Sequence, residues 1–429
     1  MGFVHLHTHS PFSFLDGAGR VEDMVTAAAE AGMPALAVTD HNNLCAAVYF
    51  CKLAEGAGIK PIIGAEITME NGCHLTLLAK NPGGYSNLCR LLSAAHLGSP
   101  RLMPQVKDET LKLYSEGLIA LSGCRKGEVP RLILKGRCRQ AEEAALKYTD
   151  AFGRQNFFIE LQNDFLPGNR SLNRSLAELA AHLNLEAAAT NNVHYVDKEQ
   201  FKVHDLLTCV RTLTKLDDVH PERRLNGENY LKSPAEMAEI FGDYPRAIAN
   251  TVMIAEMCEP ALKTGDKLFP AFGELPPGET AAGYLRKLTF EGALCRYRCL
   301  SRSVINRLEH ELDIICRLGF EDYFLLVWDA TKFARREKIR YAGRGSAADS
   351  AVAYCLYITE VDSIARGLLF ERFMSLERAQ KPDIDIDFDS RYRDKVSAYL
   401  YRKYGADRVA TVCTYNTFRA RSAFRDLAK

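Results

Sequence analysis

At 429 residues, with 47% apolar and 25% charged side chains, the chain is too long for one ordinary core and too apolar to be disordered, so two globular domains are expected. A net charge of +1 excludes a surface that is basic throughout, and any contact with nucleic acid must come from local basic clusters. No apolar run reaches bilayer-spanning length, and the 13 scattered cysteines include no CxxC pair in zinc-ribbon spacing.

Met1-Gly2-Phe3-Val4 opens directly into a strand-like segment without a targeting peptide. A cytoplasmic location is therefore expected, with the cysteines serving as small buried hydrophobes in a reducing compartment and no membrane contact. In chain order, residues 3–9 read as strand, 21–31 as helix, 34–39 as strand, 44–57 as helix, and 59–67 and 74–80 as strands. Strands are expected again at 118–122, 157–161 and 185–190, with helices at 140–152 and 169–183 between them. Strands alternating with helices imply βα units around a parallel sheet or barrel. Residues 200–270 read as helical and connective, and the stretch Phe269-Pro270-Ala271-Phe272-Gly273-Glu274-Leu275-Pro276-Pro277-Gly278 is the clearest linker. The domain boundary is expected near 270, giving domains 1–270 and 271–429. Long helices follow at 281–297 and 301–318, then an α/β segment rich in Asp and Gly; no internal repeat is found.

His5, His7 and His9 alternate with Leu6 and Thr8, so a strand places all three imidazoles on one face. Asp16-Gly17 follows in a turn. The next strand leads into Asp40-His41, another carries Glu66, and His74 begins the one after it. Cys124 follows Leu121-Ser122-Gly123, and His194 follows Thr190-Asn191-Asn192. In a βα barrel the loops after the strands converge on one face. A lone strand histidine is more often a satisfied core residue. An HxHxH run with Asp-His and Glu at successive strand ends points instead to metal binding. These donors suit Zn²⁺, Mn²⁺ or Fe, and such ions lower the pKa of bound water and clamp phosphate, as phosphoester hydrolysis needs.

His5-Leu6-His7-Thr8-His9, Asp16-Gly17, Thr39-Asp40-His41 and Gly64-Ala65-Glu66 resemble the PHP (polymerase and histidinol phosphatase) domain. Phe3 through Ser10, with Phe14-Leu15-Asp16-Gly17, is similar to the version at the front of bacterial polymerase III α subunits. The resemblance implies a PHP-type (βα) barrel with Zn²⁺ or Mn²⁺ ligands at His7, His9, Asp16, His41, Glu66, His74, Cys124 and His194. Where that family has Asp-x-His near the last ligand, this chain has Asn192-Val193-His194. The amide offers only a neutral oxygen, which implies one weakened metal position and low or absent hydrolytic turnover.

Further on, Gly343-Arg344-Gly345-Ser346 reads as a flexible turn between a strand end and a helix at 347–358, an arrangement that can cradle phosphate. Lys381-Pro382-Asp383-Ile384-Asp385-Ile386-Asp387-Phe388-Asp389 alternates carboxylate and apolar residues. As a strand it lines Asp383, Asp385, Asp387 and Asp389 on one face, and packs Ile384, Ile386 and Phe388 in the core. Carboxylates so close need cations between them, and paired Mg²⁺ ions would also drive phosphoryl transfer.

Tyr341 through Ala348 and Pro382 through Phe388 resemble the palm of bacterial C-family polymerases, an incomplete α+β palm of nucleotidyltransferase type. So do Leu318 through Leu325 and the end of the chain with Thr417, Arg419, Arg421 and Arg425. The resemblance implies DNA synthesis, with Asp383 and Asp385 holding Mg²⁺ and Gly345 and Ser346, beside Arg344, binding the triphosphate of a dNTP. It implies primer–template DNA, replisome subunits and a proofreading exonuclease subunit as partners. Asp349 replaces a glycine of that family's loop, and Met374-Ser375-Leu376-Glu377-Arg378 lacks its Asn-Pro. A third catalytic aspartate and a phosphate-binding lysine come from a later palm segment that these 429 residues do not include, which implies no processive synthesis by them alone.

Basic residues Arg391, Arg393, Lys395, Arg402, Lys403 and Arg408 follow the aspartate row, and Arg419, Arg421, Arg425 and Lys429 close the chain. They are candidates for phosphate-backbone contact, although Asp394, Asp407 and Asp426 interrupt them. Two other functions fit the same sequence: a PHP phosphoesterase or 3′–5′ exonuclease, and a non-catalytic PHP platform that docks a proofreading exonuclease.

Overall fold

The short apolar runs of the first half form β1 (Ala35–His41), β2 (Lys60–Thr68), β3 (His74–Ala79), β4 (Leu118–Leu121), β5 (Phe157–Gln162) and β6 (Glu186–Thr190). The computed structural model describes residues 2–262, 270–297, 299–376, 382–412 and 414–428. The six strands lie in chain order in one sheet. Their interiors are buried almost without interruption, as strands covered on both faces require.

The sheet is not wholly parallel, as the βα alternation had implied. β1 pairs with β2, β4 with β5 and β5 with β6 in parallel, but β3 runs antiparallel to both of its neighbours. The connection from β2 to β3 is a tight turn over Glu70-Asn71-Gly72, closed by Met69 N donating to Cys73 O at 2.8 Å. So short a link can only make a hairpin, because a parallel partner needs a crossover of about a dozen residues.

Residues 3–9 also depart from expectation. They form no regular strand, only a bridge between Thr8 and Val193. On one side Ala37 N donates to His5 O (2.9 Å) and Thr39 N to Thr8 O (2.8 Å). On the other, Val193 N donates to His7 O (3.0 Å) and His9 N to Val193 O (2.7 Å). The segment thus joins β1 to the chain leaving β6 and closes the curled sheet. Between its two bonds to β1 it advances by three residues while β1 advances by two, so the alternation slips between His5 and His7.

The chain divides into two compact units, Met1–Gly265 with Phe418–Lys429, and Asp266–Thr417. Residues 263–269, including Phe269 of the expected linker, lie outside the described residues.

In the first unit, helix Val21–Glu30 buries Val21, Met24, Val25 and Ala28, the i, i+3, i+4, i+7 stripe of an amphipathic helix. Helices Cys138–Phe152 and Asn169–His182 do the same with Ala141, Ala145 and Tyr148, and with Leu172, Leu176 and Ala180. The sequence reading placed no element at helix Pro82–Gly98, whose first turn carries Gly83-Gly84. Asn81 caps that helix through Gly84 N (2.9 Å), and a Cβ at Gly84 would stand 1.8 Å from the Gly117 carbonyl oxygen. Glycine is there for close approach, not flexibility.

The second unit packs helices Ala281–Arg296, Arg302–Arg317 and Glu321–Arg336 around Leu308, Leu312, Ile315, Phe324, Leu325 and Val352. The helix expected over 347–358 is a 3-10 turn, Gly345–Asp349, followed by a short helix, Ala351–Cys355. The break falls at Ser350, whose side chain caps Ala353 N at 3.0 Å while the buried Glu311 accepts from Ala351 N and Val352 N, each at 3.0 Å.

Six of the described cysteines are buried, but Cys45, Cys138, Cys295 and Cys299 are exposed, so burial does not account for all of them. Among the described residues no helix is long and apolar enough to cross a membrane.

Candidate functional site

Barrel closure gathers the metal-seeking side chains around two buried carboxylates. Glu66, near the end of β2, has His41 Nδ1 at 2.8 Å, His74 Nδ1 at 3.1 Å, His7 Nε2 at 3.4 Å and His9 Nε2 at 3.6 Å. Cys124 Sγ lies 3.5 Å from Glu66 Oε1, the oxygen that His7 and His74 also approach. Asp16 has His41 Nε2 at 2.9 Å and His194 Nε2 at 3.0 Å, both on Oδ2. His7, His9, Asp16, His41, Glu66, His74, Cys124 and His194 are therefore brought together. A cavity of about 570 Å³ opens above them, lined by Asp16, His41, Glu66, His74, Cys124 and His194.

His5 does not join them. After the slip in register its Nε2 donates to Lys232 O at 2.8 Å, and burial pushes its pKa down to about 4. Asp40, between Thr39 and His41, is no ligand either. It accepts from Ser10 N (2.7 Å), Ser10 Oγ (2.6 Å) and Ser13 Oγ (2.7 Å), and so braces the loop that carries Asp16.

The electrostatics are those of a proton-shared cluster. Burial opposes a charged imidazole, but Glu160 and Glu66 outweigh it at His7, which rises to about 10. The same contest, won by Glu66, raises His41 and His74 to about 9. Burial would raise Glu66, yet His74, His41 and His7 hold it well below the usual carboxylate range. His9, also buried and facing His41 and His194, is held well below 6.5.

These residues fit a metal ion. His7 Nε2 and His9 Nε2 face each other at 3.2 Å. Ligands bound about 2.0–2.1 Å from a tetrahedral ion stand roughly 3.4 Å apart, the spacing seen around Glu66. Asn192 Oδ1 is buried at the site with no hydrogen-bond partner among the described residues.

Several residues at the site escaped sequence reasoning. Glu160 on β5 holds His7 Nδ1 at 2.7 Å and is itself held by Gln162 Nε2 at 2.7 Å and by Thr190 Oγ1. Its signal was a single carboxylate inside the apolar run Phe157-Phe158-Ile159-Glu160-Leu161. His204, Arg211 and Arg224, which approach Asp16 and His194, had no signal.

In the second unit, β7 (Tyr341–Gly343) pairs antiparallel with β8 (Ile386–Phe388), Gly343 opposite Ile386. The glycine loop therefore starts beside the aspartate row, and Arg344 N donates to Asp385 O at 2.7 Å. Pro382 and Ile384 are buried, Ile386 and Phe388 half-buried, and Asp383, Asp385 and Asp387 exposed, so the alternation holds. Asp389 leaves the row, because Arg391 engages its carboxylate at 2.7 Å and holds it down to about 2. Arg344, Gly345 and Ser346 are exposed, Arg344 bonds Asp387, and Gly345 has φ +62°, which a side chain would strain. No group of three metal-binding atoms gathers here among the described residues. Lys381, Glu377 and Arg378 lie outside them.

The PHP domain family matches residues 5–164, and the bacterial DNA polymerase III alpha NTPase domain matches residues 283–429. An error-prone DNA polymerase of Symbiobacterium thermophilum is 58% identical across 100% of this chain, which covers 41% of that protein. The chain carries these two domains and is similar to bacterial DNA polymerase III alpha subunits along its whole length. The DNA polymerase III subunit alpha of Treponema pallidum is 39% identical, again across 100% of this chain and 38% of the relative. The chain thus spans about two-fifths of the length of those relatives. An amidohydrolase structure from Chromobacterium violaceum aligns over 45% of the chain and 88% of its own, at 16% identity and a TM-score of 0.36, too distant to bear on function. Within the chain the PHP match takes in every candidate ligand except His194, and the NTPase match takes in β7, the glycine loop and β8.

Proposed function

We propose that this chain supplies a PHP metal centre and the nucleotide-handling face of a bacterial replicative DNA polymerase, acting on primer–template DNA and dNTPs beside other replisome subunits. What carries the reading is the likeness to polymerases along the whole chain. The β7–β8 pairing, which sets the glycine loop against the aspartate row, supports it. Asp383 and Asp385 would hold Mg²⁺, which when bound neutralises charge on the triphosphate. Gly345 turns the backbone so that Ser346 is exposed toward a phosphate, and Arg344 adds an exposed positive charge. In a polymerase carrying this chain, Asp385→Ala should lower primer extension by at least about 10³-fold, since a catalytic cation loses its holder. Undiminished incorporation would end the assignment.

A second activity is favoured by the convergence of the imidazoles, Glu66 and Cys124 beneath one cavity. His7, His9, His41, Glu66, His74 and Cys124 would hold Zn²⁺ or Mn²⁺, which supplies a low-pKa water for phosphoester hydrolysis. Asn192 in place of a carboxylate keeps turnover low. Slow release of mononucleotides from single-stranded DNA, lost in His9→Ala, is the expected result. Metal-bound protein without such release would favour the third role, a platform for a separate proofreading exonuclease.

A further inference from the structure

Two guanidinium groups reach into the metal centre, and nothing in the reading above uses them. A neutral imidazole has one N–H and one lone pair. His194 Nδ1 lies 2.8 Å from the carbonyl oxygen of Asn192 and Nε2 lies 3.0 Å from Asp16 Oδ2, so Nε2 is the nitrogen turned toward the centre. With Nδ1 turned to the backbone, Nε2 is the one atom His194 can offer a metal. Arg224 Nη2 lies over the ring, 3.0 Å from Nε2 and 3.3 Å from Nδ1, and Arg224 is anchored by Nη1 donating to Asn229 Oδ1 at 2.9 Å. On the far oxygen of Asp16, Arg211 Nη2 stands at 3.2 Å and His204 Nε2 at 3.5 Å. Guanidinium N–H groups therefore occupy both Asp16 and His194 where an ion would bind them.

The balance of charge divides the centre in the same way. Glu66 and Glu160 are surrounded by imidazoles and one thiol, with no Lys or Arg among their ion pairs within the described residues, so a dication offsets them. Asp16 and Glu222 face Arg211, Arg224 and, 3.0 Å from Glu222, Lys126, so three cations stand against two carboxylates, and Asn192 adds no charge. A dication there would add to a positive surplus in a buried site, where such repulsion is poorly screened.

We propose that Arg224, with Arg211, takes the place of a metal ion in the Asp16–His194 half of the centre and confines metal to the half built on Glu66. The inference rests on the metal-centre reading. Its test is a count of Zn²⁺ or Mn²⁺ per 429-residue chain by elemental analysis after equilibrium dialysis, with circular dichroism to check folding. Asp16→Asn should hold as many ions as the wild type. Arg211→Met combined with Arg224→Met should hold one more, and adding Asp16→Asn to that pair should remove the extra ion. An ion lost from Asp16→Asn alone, or none gained by the folded arginine variant, overturns the proposal and leaves the metal centre standing. If the arginine variant does not fold, the Asp16→Asn count decides. A wild type that holds no ion, indistinguishable from Glu66→Gln, overturns both.

Discussion

Glu160 is fully buried on β5 and makes one close contact with an imidazole, His7 Nδ1 at 2.7 Å. A carboxylate can only accept, so Nδ1 keeps its proton, and Nε2, which faces His9 and Glu66, is the atom left to bind an ion once His7 gives up its second proton. Such partners set the orientation and basicity of a ligand histidine, and their loss typically weakens metal binding by about 10–100-fold. Glu160→Gln should weaken Zn²⁺ binding to that extent, read by competition with a chromophoric chelator, with an unchanged circular dichroism spectrum. Unaltered affinity would mean that His7 is oriented by other contacts. Glu160 was visible in the sequence as an odd carboxylate. His204 and Arg224 were not, since a helix residue and a loop residue carry no periodicity that announces whom they will meet.

At the scale of elements, the departures from expectation each have a local cause. Residues 3–9 slip by one position, the β2–β3 link is too short for a crossover, and Ser350 with Glu311 restarts a helix. Glu311 accepts from Ser350 Oγ (2.8 Å), Ala351 N, Val352 N and Arg307 Nε (2.6 Å) in the core. Each buried group left unpaired costs about 1–3 kcal/mol, so Glu311→Ala should destabilise the second unit by roughly 3–5 kcal/mol. Urea unfolding followed by the only tryptophan, Trp328, reads that unit. A loss below about 1 kcal/mol would mean that the surroundings collapse to satisfy those donors.

Helix Arg393–Tyr404, expected to offer a basic face, directs Lys403 inward instead. Its Nζ lies 2.8 Å from Asp329, which is buried, and 2.7 Å from Glu274. Burial works against the ammonium, but the bonds from Asp329 and Glu274 raise its pKa above the ordinary lysine value. Stability from this pair is complete below the unfolded lysine pKa of about 10.4 and is lost as pH rises through the higher folded value. Lys403→Met should therefore destabilise the chain at pH 7 and flatten the alkaline fall in its stability. Equal alkaline slopes in urea titrations of the two proteins would contradict this.

Across the whole molecule, the candidate metal centre links residues whose separation in sequence is 153 for His7 and Glu160 and 178 for Asp16 and His194. An ion bound there stabilises only the folded barrel, by about 2.7 kcal/mol when its concentration is 100 times Kd. Zn²⁺ or Mn²⁺ should raise the thermal midpoint of the first unit and EDTA should lower it, while Trp328 emission, in the second, should stay unmoved; a midpoint indifferent to both would speak against the centre. By itself the sequence determined most of the strands and helices of the first unit, which residues could donate to a metal, and that carboxylates alternate with apolar residues from Asp383 to Asp387. These are properties of neighbours, and periodicity records them. Only the tertiary structure decided that His5 turns away, that Glu160 holds His7, and that Arg211 and Arg224 stand against Asp16 and His194. Those contacts form when the curled sheet closes, and no local pattern carries the register of a closure between distant segments.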